Sequence, residues 1–141
     1  MMRGLILTGA TLLSLASCAT PPAPSAGQKT IQGQSMARML VTVDTIRAYT
    51  RGQATAAQAN QAATELVSWS DRIGELFPPD KAPTLYVDMT PEMARGAPVA
   101  MHNTTSNLLA AVQSGSVPAT TTALDRTEQD GCGFCHRAPY R

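Results

Sequence analysis

The sequence is poor in the features that mark several large classes of protein. Charged side chains make up only 15 % of its 141 residues, and the formal net charge at pH 7 is +1. Nucleic-acid binding requires a basic patch, so no nucleic-acid partner is expected. After the first residues, no apolar run is long enough to span a bilayer. The sequence also shows no Ser-His-Asp set, carboxylate pair or phosphate-binding loop, and therefore offers no catalytic constellation.

Cysteine and histidine are scarce as well, with three and two residues respectively, and most of them fall in one short stretch. The run Cys132-Gly133-Phe134-Cys135-His136 spells C-x-x-C-H, the attachment motif of a c-type haem. Two thiols three positions apart on a helix lie on one face, so both can bond the two vinyl groups of one porphyrin. His136 follows directly, and its neutral ring nitrogen can ligate the haem iron as the proximal ligand.

The pair C-x-x-C alone also occurs in redox disulfides and in zinc sites. A thioredoxin-like motif belongs beside a βαβ unit, and this chain lacks the alternating β-branched runs of such a unit. Structural zinc requires four ligands, usually from two separated pairs. Once Cys18 is set aside, His102 is the only further cysteine or histidine. The sequence therefore favours one covalent haem c, with its iron, over a redox disulfide or zinc.

The first 17 residues have the pattern of a bacterial export signal. Arg3 provides a short positive segment, and the apolar segment from Gly4 to Ala16 is too short to span a bilayer. The run Leu15-Ala16-Ser17-Cys18 resembles the lipobox, in which the cysteine is lipidated and becomes the new N-terminus after cleavage. We therefore expect residues 1–17 to be a lipoprotein signal peptide and Cys18 to carry a lipid anchor. An ordinary signal peptide with a chance cysteine is the alternative.

This interpretation places the protein in the periplasm, anchored by lipid to a bacterial membrane. Ala19, rather than Asp, follows the lipidated cysteine, which by resemblance to other lipoproteins favours sorting to the outer membrane. Residues 18–29 are rich in Pro, Ala and Ser. We expect them to form a flexible tether, because Pro21, Pro22 and Pro24 block a helix.

From residue 30 the apolar pattern predicts helices. Apolar residues recur at intervals of three and four from about Thr30 to Arg51, including Ile31, Met36, Met39 and Leu40. Thr55 to Gln58 form a capping box that predicts the start of a second helix. Its apolar stripe continues to Phe77 and ends at Pro78-Pro79. The sequence therefore predicts that the second helix is one long, unbroken helix.

Two more helices follow a predicted loop at residues 80–89. Thr90-Pro91 predicts the start of a third helix that runs to about Ser114. Pro98 falls inside it and is expected to kink it or delay its start. Pro118 opens a fourth helix that carries the C-x-x-C-H motif. We expect residues 30–141 to form one all-α domain, an up-down-up-down four-helix bundle with the haem near the C-terminal helix.

A C-x-x-C-H motif near the end of a four-helix chain resembles the class II c-type cytochromes, which include cytochrome c′ and low-spin relatives such as cytochrome c-556. The resemblance covers about residues 30 to 141, and it includes Phe77-Pro78 and the pair Tyr140-Arg141. Family members usually have that aromatic-Arg pair nearer the histidine than it is here. They also often have an arginine on the first helix near the haem propionates, where this sequence has Gln32.

The resemblance implies that the residue on the far face of the iron decides the function. Low-spin members place a methionine of the first helix there. The matching residue is Met36, with Met39 one turn further on. Thioether ligation raises the reduction potential of haem iron. The resemblance therefore implies a His/Met-ligated electron carrier rather than an enzyme, with redox proteins of a periplasmic electron-transfer chain as partners. It also implies a homodimer formed through the first two helices.

Four alternatives remain open at this point. A five-coordinate cytochrome c′ would bind nitric oxide or carbon monoxide at an open iron, and a structural lipoprotein would use its haem for assembly. Met36 could also be an ordinary core residue, since methionine fills irregular gaps. His102 is another potential iron ligand, but its polar neighbours favour a partly exposed surface histidine.

Overall fold

A computed structural model describes residues 26–80 and 90–136, and all regular structure in these ranges is helical. The all-α class predicted from the sequence is confirmed. The elements are α1 Ala26–Thr50, α2 Ala56–Asp71, α3 Ile73–Leu76, α4 Pro91–Gln113, α5 Val117–Arg126, a π-helical turn Thr127–Cys132, and α6 Gly133–His136. The predicted signal peptide, Cys18, most of the tether, residues 81–89 of the predicted loop and the Tyr140-Arg141 pair lie outside the described residues.

The predicted helix starts are present where the local chemistry is strongest. The Thr55 hydroxyl accepts the Gln58 backbone N–H at 3.2 Å, and the Gln58 side chain accepts the Thr55 backbone N–H at 2.8 Å. These reciprocal bonds form the predicted capping box of α2. The Thr90 hydroxyl caps α4 in the same way, by accepting the Met93 backbone N–H at 3.2 Å. Short polar side chains thus satisfy backbone donors that have no partner inside the helix.

The buried face of α1 differs from the predicted apolar stripe. Ile31 and Leu40 are 54 % and 64 % exposed, whereas Gln32 is only 2 % exposed. The helix also begins at Ala26 rather than at about Thr30. The Gln32 side-chain amide donates to the Leu76 backbone carbonyl, so this buried polar group is satisfied by a distant part of the chain. Such a bond makes burial of a polar residue tolerable, and hydropathy alone does not reveal it.

The prediction of one long second helix was wrong, and so was the alternative that Pro98 delays the start of the third helix. The second helix ends at Asp71, and Arg72 separates it from the short α3. The Arg72 backbone N–H donates to the Trp69 carbonyl at 3.1 Å, a tight turn of the 3₁₀ type that separates the two helices. Pro98 lies inside α4 without delaying its start, although it removes one hydrogen bond from the helix interior.

The helices pack in an order that brings the last described helices beside the first. Helix α2 packs against both α1 and α4, and α5 packs against α4 and α1. The π-helical turn and α6 pack against α4. The shared core contains these buried side chains: Met39, Val43, Ile46, Ala59, Ala62, Ala63, Leu66, Ile73, Leu76, Phe77, Ala94, Ala97, Met101, Leu108, Val112 and Leu124. The C-x-x-C-H motif is thereby held against the core. Among residues 26–80 and 90–136, no helix is long and apolar enough to cross a membrane.

Candidate functional site

An apolar cavity of about 430 Å³ is bounded by α1, the α3 region, α4 and the C-terminal segment. Its wall contains Met36, Met39, Leu40, Val43, Ile73, Phe77, Met101, Gly131, Cys132, Cys135 and His136. The structure therefore brings both cysteines and the histidine of the motif to one cavity, together with the methionine that the resemblance selects. Apart from the motif residues, every side chain in this wall is apolar.

The two motif cysteines are placed by the last two elements of the chain. Cys132 ends the π-helical turn, and Cys135 lies in α6. Both side chains are free thiols that are partly buried against the core. Burial raises the pKa of the Cys132 thiol, and the nearby Glu128 carboxylate raises it further. Burial also raises the pKa of Cys135, and Cys132 adds to this effect.

These raised pKa values bear on the redox-disulfide alternative. Catalytic and redox-active cysteines react as thiolates, and their sites lower the thiol pKa with positive charges or helix N-termini. The environment of Cys132 and Cys135 has the opposite effect, since it favours the neutral thiol. The site therefore disfavours thiolate chemistry and presents two protonated thiols to an apolar cavity.

The histidine and the methionines supply the groups that could ligate a metal in this cavity. His136 is exposed but contributes to the cavity wall. Met36 is partly buried, whereas Met39 and Met101 are 6 % and 4 % exposed. Two of these thioethers come from α1 and the third from α4. The cavity thus contains one imidazole and three sulfur atoms beyond the two thiols.

Met101 of α4 is a wall residue that the sequence analysis did not single out. Its sulfur would lie 3.1 Å from a Cβ atom built on Gly131, the residue just before Cys132. Met101 therefore packs directly behind the attachment motif, whereas Met36 and Met39 approach the cavity from a different helix. Only the tertiary contact reveals this difference, because all three methionines belong to apolar helix faces.

His102 lies outside the cavity. Its Nδ1 atom is 2.7 Å from Oδ1 of Asp71, and both side chains are about half exposed. This position agrees with a surface histidine that connects α4 to α2. Within the described ranges, no group of three or more His, Cys, Asp or Glu side chains could hold a metal ion.

The charged side chains of α1 and of the segment before the motif do not line the cavity. Arg47 of α1 pairs with Glu128 of the π-helical turn, with 2.5 Å between Nη2 and Oε1. Arg126 lines a separate and more polar groove of about 390 Å³ between α4 and α5. Gln32 donates to the Leu76 carbonyl and does not line the cavity, so it does not take the place of the propionate-side arginine that the resemblance implied. Of the described residues, none in the wall is an arginine or a lysine.

Two glycine contacts around the motif also escaped the sequence pattern. A Cβ atom on Gly96 of α4 would lie 2.5 Å from Cζ of Phe134, the aromatic residue inside C-x-x-C-H. A Cβ atom on Gly131 would lie 2.5 Å from Oγ1 of Thr104. Both glycines therefore permit the close approach of the motif to α4. Glycines inside a helical pattern were the available signal, since they cost helix stability unless packing requires them.

Comparison with known proteins adds no relative: no family model, no curated protein and no solved structure matches this chain. The functional interpretation therefore rests on the motif and on the geometry of the cavity.

Proposed function

We propose that the protein is a c-type cytochrome that binds one haem covalently through Cys132 and Cys135, with His136 as the proximal iron ligand. The observation that carries this proposal is the position of all three residues in the wall of one apolar cavity. A redox pair or a lone surface thiol would not need such a cavity. The motif residues share the wall of this cavity with side chains of α1 and α4.

The residues present fit a haem in polarity and chemistry. The volume of about 430 Å³ lies within the range of about 300–1,000 Å³ that is usual for ligand and cofactor pockets. The wall is apolar, as a porphyrin face requires, and it contains two thiols for the vinyl groups and an imidazole for the iron. When bound, the haem would supply one-electron chemistry, while the protein supplies ligation, burial and an exposed edge.

We also propose that the helices form an up-down-up-down four-helix bundle, with α2 and α3 together as the second helix and α5 to α6 as the fourth. The short connections 51–55 and 114–116 support antiparallel neighbours. The packing of α2 between α1 and α4, and of α5 on α1, supports a closed arrangement of four. In this arrangement a cofactor site between facing helices is typical.

The function that we propose is electron transfer by a His/Met-ligated haem, without enzymatic activity. Met36 is the proposed distal ligand, because it lines the cavity from α1 and because thioether ligation raises the potential of haem iron. Redox proteins of a periplasmic chain are the proposed partners. Lipidation of Cys18, attachment to the outer membrane and a homodimer complete the proposal. The first two are supported by the sequence pattern at Cys18, and the homodimer by the resemblance to class II cytochromes.

One observation favours a second candidate, a five-coordinate cytochrome that binds nitric oxide or carbon monoxide. Leu40 and Val43 lie in the same wall as Met36, so an apolar side chain is available to face an open iron. The reduced protein distinguishes the two candidates. A Met-ligated carrier keeps its absorption spectrum when carbon monoxide is added, whereas an open iron gives a rapid spectral shift.

The proposal is tested by expressing the full chain together with a c-type haem maturation system. We expect a red protein whose haem absorption persists after denaturation and solvent extraction. Replacing both motif cysteines by serine should abolish covalent haem, while Cys18→Ser should keep the haem and lose the lipid. His102→Ala is the matched control for His136→Ala and should leave the spectrum unchanged. A colourless chain from the matured wild type would refute every haem interpretation.

A further inference from the structure

The segment before the motif is not an ordinary α-helix. Residues Thr127–Cys132 form a π-helical turn, and the Gly133 backbone N–H donates to the Glu128 carbonyl, five residues back. A single π-helical turn accommodates more residues per turn than an α-helix does, and it is often found at functional sites. In effect, such a turn acts as one residue inserted into the helix. Every residue after it then faces a different direction from the one that continuous α-helix would give.

The direction of the motif residues can be compared for the two cases. Thr127 is fully buried, and its hydroxyl lies 3.2 Å from the Thr104 carbonyl of α4, so it marks the packed side. At about 100° per residue, a continuous α-helix would place Cys132, Cys135 and His136 at about 140°, 80° and 180° from Thr127. One inserted residue turns each of them back by about 100°. Cys132 and His136 then lie about 40° and 80° from Thr127, and Cys135 lies about 20° from it on the opposite side. The inserted residue thus turns all three toward the packed side.

We propose that the π-helical turn is a one-residue insertion that turns Cys132, Cys135 and His136 into the cavity, and that Gly131 is the positioning residue that lets this turn pack against α4. The use of this arrangement for haem rests on the proposed function, but the arrangement itself can be tested without haem. It explains why a helix that ends in the attachment motif departs from α geometry immediately before that motif.

Contacts from two sides hold the turn in place. On the α4 side, Gly131 is buried, and a Cβ atom there would meet Thr104 Oγ1 at 2.5 Å and Met101 Sδ at 3.1 Å. The Thr127 hydroxyl also reaches the carbonyl of Ala123 at 2.9 Å, which ties the start of the turn to α5. On the α1 side, Arg47 pairs with Glu128. These contacts favour the π-helical register over a relaxed helix in the folded protein.

A deletion and an insertion at the same exposed position test the proposal. Deleting Gln129, which lies in the turn and is exposed, removes the extra residue and should give continuous α-helix with the motif facing the cavity as before. Inserting one alanine after Gln129 should rotate the motif by about a further 100°. A segment that only contributes stability would respond in the same way to the deletion and to the insertion, because both changes would disturb it.

The assay is alkylation of the haem-free full chain, read by peptide mass spectrometry, which separates Cys132 and Cys135 from Cys18. We expect the Gln129 deletion to keep the wild-type protection of both thiols. The alanine insertion should raise their alkylation rates about tenfold, the factor that corresponds to losing about 1.4 kcal/mol of protection. If the deletion exposes the thiols as much as the insertion does, the π-helical turn does not act as an inserted residue.

Gly131→Ala tests the positioning role separately. We expect faster alkylation of Cys132, because the new methyl group meets Thr104 Oγ1. Gly33→Ala is the control, since nothing lies within 4 Å of its Cβ position. Adding Thr104→Ala to Gly131→Ala should restore protection, because the remaining Thr104 Cβ would be at 3.6 Å, an ordinary contact, and the flexible Met101 side chain, with its sulfur at 3.1 Å, can shift. Absence of this rescue, or equal effects of the two glycine substitutions, would overturn the role of Gly131.

Expression of the same variants with the maturation system separates this proposal from the proposed function. If no variant binds haem but the deletion and insertion differ in thiol protection, the cytochrome proposal fails and the register proposal stands. If haem attaches and both length variants lose thiol protection equally, only the register proposal fails. In the haem-loaded protein, the Gln129 deletion should also keep the wild-type absorption spectrum.

Discussion

Replacing Met36 by alanine separates a ligand from a core residue. A fully buried methionine truncated to alanine costs about 2–5 kcal/mol of the free energy of unfolding. Met36 is only partly buried, whereas Met39 is 6 % exposed. In the haem-free protein we therefore expect Met36→Ala to cost about 1–2 kcal/mol, less than Met39→Ala. Urea denaturation followed by circular dichroism measures both.

Once haem is bound, the absorption spectrum should distinguish the Met36 variant from the other methionine variants. If the Met36 sulfur ligates iron, Met36→Ala abolishes the weak charge-transfer band at the red end of the visible range and opens the iron to carbon monoxide. Met101→Ala is the matched control, because it removes a buried cavity methionine from behind the motif. It should reduce stability and leave the band intact.

Two results would refute the assignment of Met36. If Met39→Ala changes the spectrum and Met36→Ala does not, the ligand lies one turn further along α1. If none of the three methionine variants changes the spectrum, the iron has no methionine ligand and the carrier interpretation fails.

Three further predictions concern the packing and electrostatics of the motif. Gly96→Ala should lower the free energy of unfolding by about 1–2 kcal/mol, because the cost of overpacking against Phe134 exceeds the gain in helix propensity. Urea denaturation measures this loss, and adding Phe134→Ala to the same chain should remove it. Arg47→Ala should cost less than about 1 kcal/mol, and less in high salt, because its pair with Glu128 is partly exposed. Burial raises the pKa of both motif thiols, so the folded haem-free protein retains protons that the unfolded chain loses. Its stability should therefore fall as the pH rises above about 8.5, and denaturation at several pH values should show no such fall when both cysteines are serine.

The parts of the fold that follow from local chemistry were predictable from the sequence. The caps at Thr55 and Thr90 depend on hydrogen bonds within a few residues, and both are present. The buried face of α1 was only partly predictable, because the burial of Gln32 depends on the Leu76 carbonyl 44 positions away. The break at Arg72 and the π-helical turn have no composition signature, since contacts with distant helices decide them.

Some residues of the candidate site could likewise be predicted from the local sequence, whereas others depend on contacts between distant parts of the chain. The C-x-x-C-H spacing pointed to three residues, and the resemblance to class II cytochromes pointed to Met36; all four lie in the cavity wall. Met101 and Gly131 could not be recognised in advance, because their roles arise where α4 meets the end of the chain. A motif therefore indicates which groups take part in the chemistry. The packing around it determines which direction those groups face.

The most direct measurement of the central claim is the mass of the tryptic peptide that contains the motif, residues 127–137, from protein matured in cells. We expect this peptide to carry one haem through Cys132 and Cys135 and to remain coloured after denaturation. The same peptide with two unmodified thiols, or with a disulfide between them, would contradict the assignment of this protein as a c-type cytochrome.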